Sequence, residues 1–462
     1  MRDERTIKLL TARKEPRMAQ DIYSAFEEHE FFGEFFHQEE TYSSRFAAKI
    51  QYSPEKGLRL EYNIADSEVP SECDSLMGIL SNGKKCTLIG SFNFNHGGRR
   101  FGAVNTKHGT LGFSHLVIGD FVQPDKEFDH SRFTFHHMQE FFYPQGHLNG
   151  VPYKEGTLEK IDGKGWSIEL ENRALANDVT NTLTNLIITD NEEALSKFSL
   201  AFNKVKKDFP KETFLLRKSL EFLFKYTSDT SKTIKDISLD INKISSLFSI
   251  FMDRPTFPDE VKIYSNAEAK RPITLLSSIH LESRTVDLAK STPSHFFMPI
   301  NRNKIDLSSA VSTWLELHDS YRVLSTTFQY ETNYRTLHSA YSDVVLFATN
   351  IEAVAKDLGM PTSDKYEGPI NKYGSDELKA AIKNIFLSHN NDTLGKNISN
   401  LRNELAHVGR PKNLIIILDI NDYVNVSRIL KLVVVSHLLE QLGVTQEVIH
   451  EYQNKLIPEV RS

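Results

Sequence analysis

The sequence predicts an α+β protein in which a β-rich N-terminal region precedes an all-helical C-terminal region. Two patterns predict this. Short apolar runs broken by turn residues fill roughly the first 190 positions, and apolar residues recur every three or four positions from about residue 306 to the end. A third observation sets the division. The stretch 281–306 is charged and contains proline, as a boundary does, so a β-rich α+β domain is expected at 1–300 and a helical bundle at 306–462.

With 462 residues the chain exceeds the size at which one core usually stops growing, so two or three domains are expected. Its 39% hydrophobic and 25% charged residues are those of an ordinary soluble protein. The net charge of −6 argues against general electrostatic adhesion to nucleic acid, and any RNA contact must come from a local basic patch. Cys73 and Cys86 cannot make a disulfide framework, which implies a reducing, cytoplasmic compartment. The N-terminus is charged throughout and lacks the apolar run of a signal peptide. No stretch reaches the length of a membrane span, so no membrane association is expected.

Taken in order, the β elements begin with the paired aromatics of Phe31 to Phe36. They continue through Ser44 to Tyr52, Leu58 to Ile64, Met77 to Leu80 and Lys85 to Phe94. Ser81-Asn82-Gly83-Lys84 joins the last two as a hairpin, because Asn-Gly accepts the positive φ of a primed turn. Further strands are expected at Phe101 to Val104, His115 to Val122, Phe133 to Phe142, Tyr153 to Lys160 and Gly165 to Glu171. From Glu193 to Ser265 the pattern turns helical, before short apolar runs at Val261 to Tyr264 and Ile273 to Ile279. His96, His108, His115 and the His136-His137 pair lack the Cys or carboxylate spacing of a metal site, so no metal or other cofactor is expected.

Helices are expected at Val311 to Phe328, Tyr334 to Leu358, Glu377 to His389, Leu394 to Val408, Tyr423 to Leu442 and Thr445 to Leu456. The second carries Leu337, Tyr341, Val344, Ala348, Ile351, Ala355 and Leu358 at alternating spacings of four and three. Gly359 to Ser375, punctuated by Gly and Pro, reads as a loop. Val424 to Leu439 is apolar almost all round and is expected to be buried on more than one side, by its own bundle and by a partner subunit.

The chemistry concentrates in Leu401-Arg402-Asn403-Glu404-Leu405-Ala406-His407. As a helix, Leu394 to Val408 places Leu394, Ile398, Leu401, Leu405 and Val408 on one stripe. Asn403 and His407 share the opposite face, with Arg402 on the flank. Gly409 and Pro411 then stop the helix. An Arg supplies a planar fork for phosphate oxygens, a His exchanges protons near neutral pH, and the Asn403 amide, four residues before His407, can orient its ring or donate to the phosphate. Arg410 and Lys412 follow closely enough to meet an RNA backbone. Arg402 and His407 lie about 140° apart in helical projection, so a second copy of the helix is needed to surround one phosphate.

Arg402-Asn403, three intervening residues and His407, inside an all-helical region, resemble the Arg-polar-x-x-x-His motif of the HEPN superfamily. Phe31 to Phe36, the Gly78 to Leu88 hairpin and the Gly119 to Phe142 region resemble the N-terminal domain of ApeA-type bacterial anti-phage proteins. The resemblance implies a HEPN-like bundle that acts as a metal-independent endoribonuclease in abortive infection. It would work as a homodimer or higher homo-oligomer on RNA, with tRNA among the candidates, and leave 2′,3′-cyclic phosphate ends. Arg402, Asn403 and His407 would be catalytic, Glu352 would support Arg402 from the second helix, and the N-terminal domain would receive a phage-derived trigger. Two alternatives stay open: a non-catalytic dimerisation or nucleotide-binding module, and a toxin held by an antitoxin.

Overall fold

The computed structural model describes residues 23–37, 45–65, 72–95, 98–101, 104–142, 156–178, 187, 189–212, 214–265, 271–291, 293, 297–330, 337–387 and 392–457. A β-sheet region precedes a helical region, as the sequence patterns predict. The chain divides into two compact units, one formed by residues 1–123 with 273–280 and the other by 124–272 with 281–462.

The first unit is an antiparallel sheet. Its strands are β1 (His29–Phe36), β2 (Phe46–Ser53), β3 (Gly57–Ala65), β4 (Glu72–Leu80), β5 (Lys85–Asn93), β6 (Gly98–Phe101), β7 (Val104–Phe113) and β8 (His115–Ile118), with β14 (Ile273–Ser277) on the far edge. The order is β14-β8-β5-β4-β1-β2-β3-β7-β6. Alternation along each strand buries Phe35, Ile50, Leu60, Leu76, Leu88 and Leu116. Gly33 is obligatory where β1 meets β4, since a Cβ there would stand 2.7 Å from the Ile79 carbonyl oxygen. The Asn82-Gly83 turn closes where expected, but Gly83 alone takes a left-handed φ of +79°, so the turn is not the primed type with two positive φ values. The run from Phe101 contributes two strands, and His96 lies outside the described residues.

The second unit starts with β9 (Glu127–Phe135) and the short helix α1 (Met138–Phe142), so the run expected as one strand from Phe133 breaks in the middle. The break falls at His137, whose φ of +65° no strand accommodates. Then come β10 (Gly156–Gly163), β11 (Trp166–Asp178), α2 (Glu192–Asp208), β12 (Leu215–Thr233), α3 (Ile234–Met252) and β13 (Pro258–Tyr264). The strands order as β10-β11-β12-β9-β13. The expected helical stretch from Glu193 is therefore interrupted by the 19-residue β12, whose Phe222, Phe224 and Tyr226 are buried beside a half-exposed Lys225. Thr233 ends the strand and caps α3, its side chain accepting from the Asp236 amide. Phe135, Phe141, Phe142, Phe224 and Phe248 form an aromatic core between this sheet and α3, with the Phe135 and Phe248 rings stacked at 4.2 Å.

The helices α4 (Ser283–Lys290), α5 (Leu307–Leu317), α6 (Arg322–Gln329), α7 (Leu337–Asp357), α8 (Glu367–Tyr373), α9 (Asp376–Leu387), α10 (Leu394–Ala406), α11 (Asn413–Ile417), α12 (Ile420–Gln441) and α13 (Gln446–Leu456) complete this unit. The single helix expected at Val311 to Phe328 is two, and the expected loop at Gly359 to Ser375 contains α8. Pro369 sits in the first turn of α8, where its missing amide hydrogen has no carbonyl to meet. Trp314 Nε1 donates to the Lys243 carbonyl at 2.7 Å and the Tyr452 hydroxyl to the Ile250 carbonyl at 2.9 Å, tying the helices to α3. α12 starts from an Asp419/Asp422 capping box and packs along α7, where the Tyr341 and Tyr423 rings meet edge-on at 4.7 Å.

The His137 ring is buried and its Nε2 has no hydrogen-bond partner. Burial, aided by the His136 and Arg254 charges, pushes it down to about 2. The folded value lies below the unfolded one of about 6.5, so protonation favours the unfolded chain and stability falls as pH drops below about 6.5. Denaturant unfolding should show a loss on the order of 2 kcal/mol between pH 6.5 and 5 from this residue. His137→Asn, which tolerates the same positive φ, should lose measurably less over that range.

Candidate functional site

The motif helix α10 begins at Thr393, whose side chain accepts from the Lys396 amide. Leu394, Ile398 and Leu401 are buried as the stripe predicts, and Asn397 and Glu404 are buried with them. The helix ends one residue before His407. That residue is the C-cap, with extended φ/ψ of −126° and 120°, its amide donating to the Asn403 carbonyl at 3.1 Å. Two expectations change as a result. Val408 leaves the stripe and is 98% exposed, and His407 stands at the helix end in solvent, not on the face it would share with Asn403.

Two side chains fix that ending. Glu404 turns its carboxylate inward, and one oxygen accepts the amides of Leu414 at 2.8 Å and Ile415 at 3.1 Å, in the first turn of α11. Lys412, expected to meet RNA, donates to the backbone carbonyls of Glu404 and of His407, the latter at 2.8 Å. Its ammonium thus satisfies carbonyls that the helix end leaves open. Arg410 is exposed and remains available to a ligand.

Arg402 is half-buried. Its Nη1 donates to Asn403 Oδ1 at 3.1 Å, while its Nε–H is buried with no hydrogen-bond partner. This bond commits the Asn403 oxygen and leaves its NH₂ as donor. Glu352, on α7, bonds Lys365 Nζ at 2.9 Å and the Tyr366 hydroxyl, and forms no ion pair with Arg402. Partial burial pushes the Glu352 carboxyl up, but the bonds from Tyr366 and Lys365, with the Lys365 and Arg402 charges, prevail and hold it below the usual range. Burial and Glu352 raise the Tyr366 phenol. Among the described residues, no three His, Cys, Asp or Glu side chains are grouped as a metal site requires.

The sequence pattern missed Glu404, Lys365 and Tyr366. The available signal for Glu404 was a single acid three residues beyond Leu401, on the apolar side of the helix. The other two lie in the segment that Gly and Pro disguised as loop.

The fold and the motif define a HEPN-type protein with a β-sheet region ahead of its helical domain. Residues 30–314 match the family model of ApeA N-terminal domain 1, and residues 328–448 match that of the Apea-like HEPN domain. The chain belongs to the ApeA-type HEPN proteins. No curated protein and no solved structure matches it. No helix among the described residues is long and apolar enough to cross a membrane.

Removing the Glu404 carboxylate strands two backbone donors. Glu404→Ala should destabilise the protein by about 1–3 kcal/mol in denaturant unfolding and speed hydrogen exchange at the Leu414 and Ile415 amides. Glu404→Gln, which keeps an acceptor oxygen, should recover part of the loss.

Proposed function

We propose that this chain is a metal-independent HEPN endoribonuclease that cleaves RNA as a two-fold dimer in the cytoplasm, in defence against phage. The observation that carries the reading is the buried, unpaired Nε–H of Arg402 on a helix that ends at an exposed His407. A buried donor without an acceptor is costly, and an anion entering the site would satisfy it.

Cleavage needs a base for the ribose 2′-hydroxyl, an acid for the departing 5′-oxygen and donors for the charge that develops on the phosphate. One chain supplies one His, one Arg fork and the Asn403 amide. A second copy completes the set, with one His407 starting neutral as the base and the other protonated as the acid. Exposed Val408, Ile416, Ile417 and Ile420 follow the motif directly and offer the apolar surface for this contact. Attack by the 2′-oxygen leaves a 2′,3′-cyclic phosphate and a 5′-hydroxyl. We further propose that the functional boundary lies between residues 300 and 306, with the N-terminal part receiving the phage-derived trigger.

Purified protein should cleave RNA in the presence of EDTA and leave those ends, mapped by end-specific ligation and sequencing. Arg402→Ala and His407→Ala should each lower the rate by at least about 100-fold while leaving the melting temperature within a few degrees of the parent. Loss of cleavage on chelation, restored by a divalent ion, would contradict the metal-independent chemistry. A large drop in melting temperature for either variant would instead assign that residue to the fold.

A further inference from the structure

The antiparallel ladder between β9 and β12 runs regularly from Phe133 opposite Phe224 to His130 opposite Thr227, then resumes only at Phe128 opposite Lys232. Four residues of β12, Ser228 to Ser231, therefore face Asp129 alone. Such bulges recur beside functional sites, and here a cavity of about 400 Å³ opens, within the range of small-ligand sites.

Pairing register sets the chemistry of this cavity. Arg132 and Lys225 stand directly opposite each other on β9 and β12 and both line it. Like charges so placed repel. β11 offsets them, with Glu171 3.0 Å from Arg132 Nε and Glu169 2.7 Å from Lys225 Nζ. The donors are nevertheless not used up. Glu171 meets two of the five guanidinium N–H donors of Arg132, with Oε1 3.1 Å from Nη2 and Oε2 3.0 Å from Nε. Lys225 gives Glu169 one of its three protons. The rings of His130 and Tyr264 stack at 4.5 Å beside this pair. Burial first, then the Lys225 and Arg132 charges, push the His130 imidazole down to about 4, so it is neutral at pH 7.

The cavity lining is acidic as well. It presents Asp129 and Asp229, with the Ser231 hydroxyl donating to Asp129 Oδ1 at 3.2 Å. Cationic donors suit a phosphoryl group. Carboxylates repel a free anion but accept hydrogen bonds from neighbouring hydroxyls. A phosphate attached to a polyol meets both demands at once, and neither phosphate alone nor a neutral polyol does.

We infer that the cavity at the β9/β12 bulge binds a phosphorylated ribose, free or within a nucleotide, with the phosphoryl group at Arg132 and Lys225 and the sugar hydroxyls at Asp129 and Asp229. The site is separate from the motif helix and its occupancy does not depend on RNA cleavage. The bulge ends two residues before α3, the helix that Trp314 and Tyr452 bond.

Calorimetric titration of the full chain with ribose 5-phosphate, adenosine 5′-monophosphate, inorganic phosphate and adenosine tests this directly. At least one phosphorylated ribose should bind about tenfold or more tightly than inorganic phosphate or adenosine, and tighter binding of the monophosphate would place the base in the site as well. Lys225→Met should weaken binding about tenfold or more. Ser231→Tyr, at an exposed bulge position, should block the cavity and provides the test if Lys225→Met melts early. Failure of both phosphorylated riboses to bind, equal binding of inorganic phosphate, or undiminished binding to folded Ser231→Tyr would overturn the assignment.

Discussion

The end of the motif helix is held from both directions at once by opposite charges working on the backbone. The Glu404 carboxylate accepts the amides of Leu414 and Ile415, and the Lys412 ammonium donates to the carbonyls of Glu404 and His407. Burying a carboxylate is costly unless it is bonded, and the two amides both bond one of its oxygens. The segment from His407 to Lys412 is thereby pinned back on the helix it leaves. His407 consequently occupies a defined and exposed position at the helix end.

The same brace explains which parts of the site the sequence made legible. Apolar spacing located α10 and its buried face through Leu394, Ile398 and Leu401, because that face obeys helical periodicity. Extending the period to Val408 failed, since spacing carries no information on where a carbonyl is capped by a distant lysine. Elsewhere the same limit recurs. The Phe133 to Phe142 run contains enough aromatics for a strand, but the left-handed backbone at His137 turns it into a strand and a helix. Within residues 215–233 the bulge at Ser228 to Ser231 breaks the two-residue period, so periodicity does not separate this strand from the helical pattern on either side of it. The helix α8 stayed hidden because Gly368 and Pro369, usually breakers, fall in its first turn.

Within the site, charge is divided between two groups. Glu352 is neutralised locally by Lys365 and Tyr366, and Arg402 influences it only through space. The guanidinium therefore keeps its charge and an unspent Nε–H for an incoming anion, and Asn403 steadies it through Nη1. The apolar surface is divided as well. α12, apolar almost all round, is covered largely by α7 and its other neighbours in the same unit, so its composition does not by itself indicate a subunit contact. The exposed apolar side chains that remain near the motif are Val408, Ile416, Ile417 and Ile420, which lie beside the residues that a second copy would have to meet.

The central claim is that catalysis needs an arginine and a histidine drawn from two copies. It is tested most directly by mixing Arg402→Ala subunits with His407→Ala subunits, after exchange between them has been demonstrated with distinguishable tags, and measuring RNA cleavage. Each variant alone should be inactive, and the mixture should recover part of the parental rate as mixed dimers form. An inactive mixture despite demonstrated exchange, or full activity from a verified monomer in dilute solution, would contradict the account.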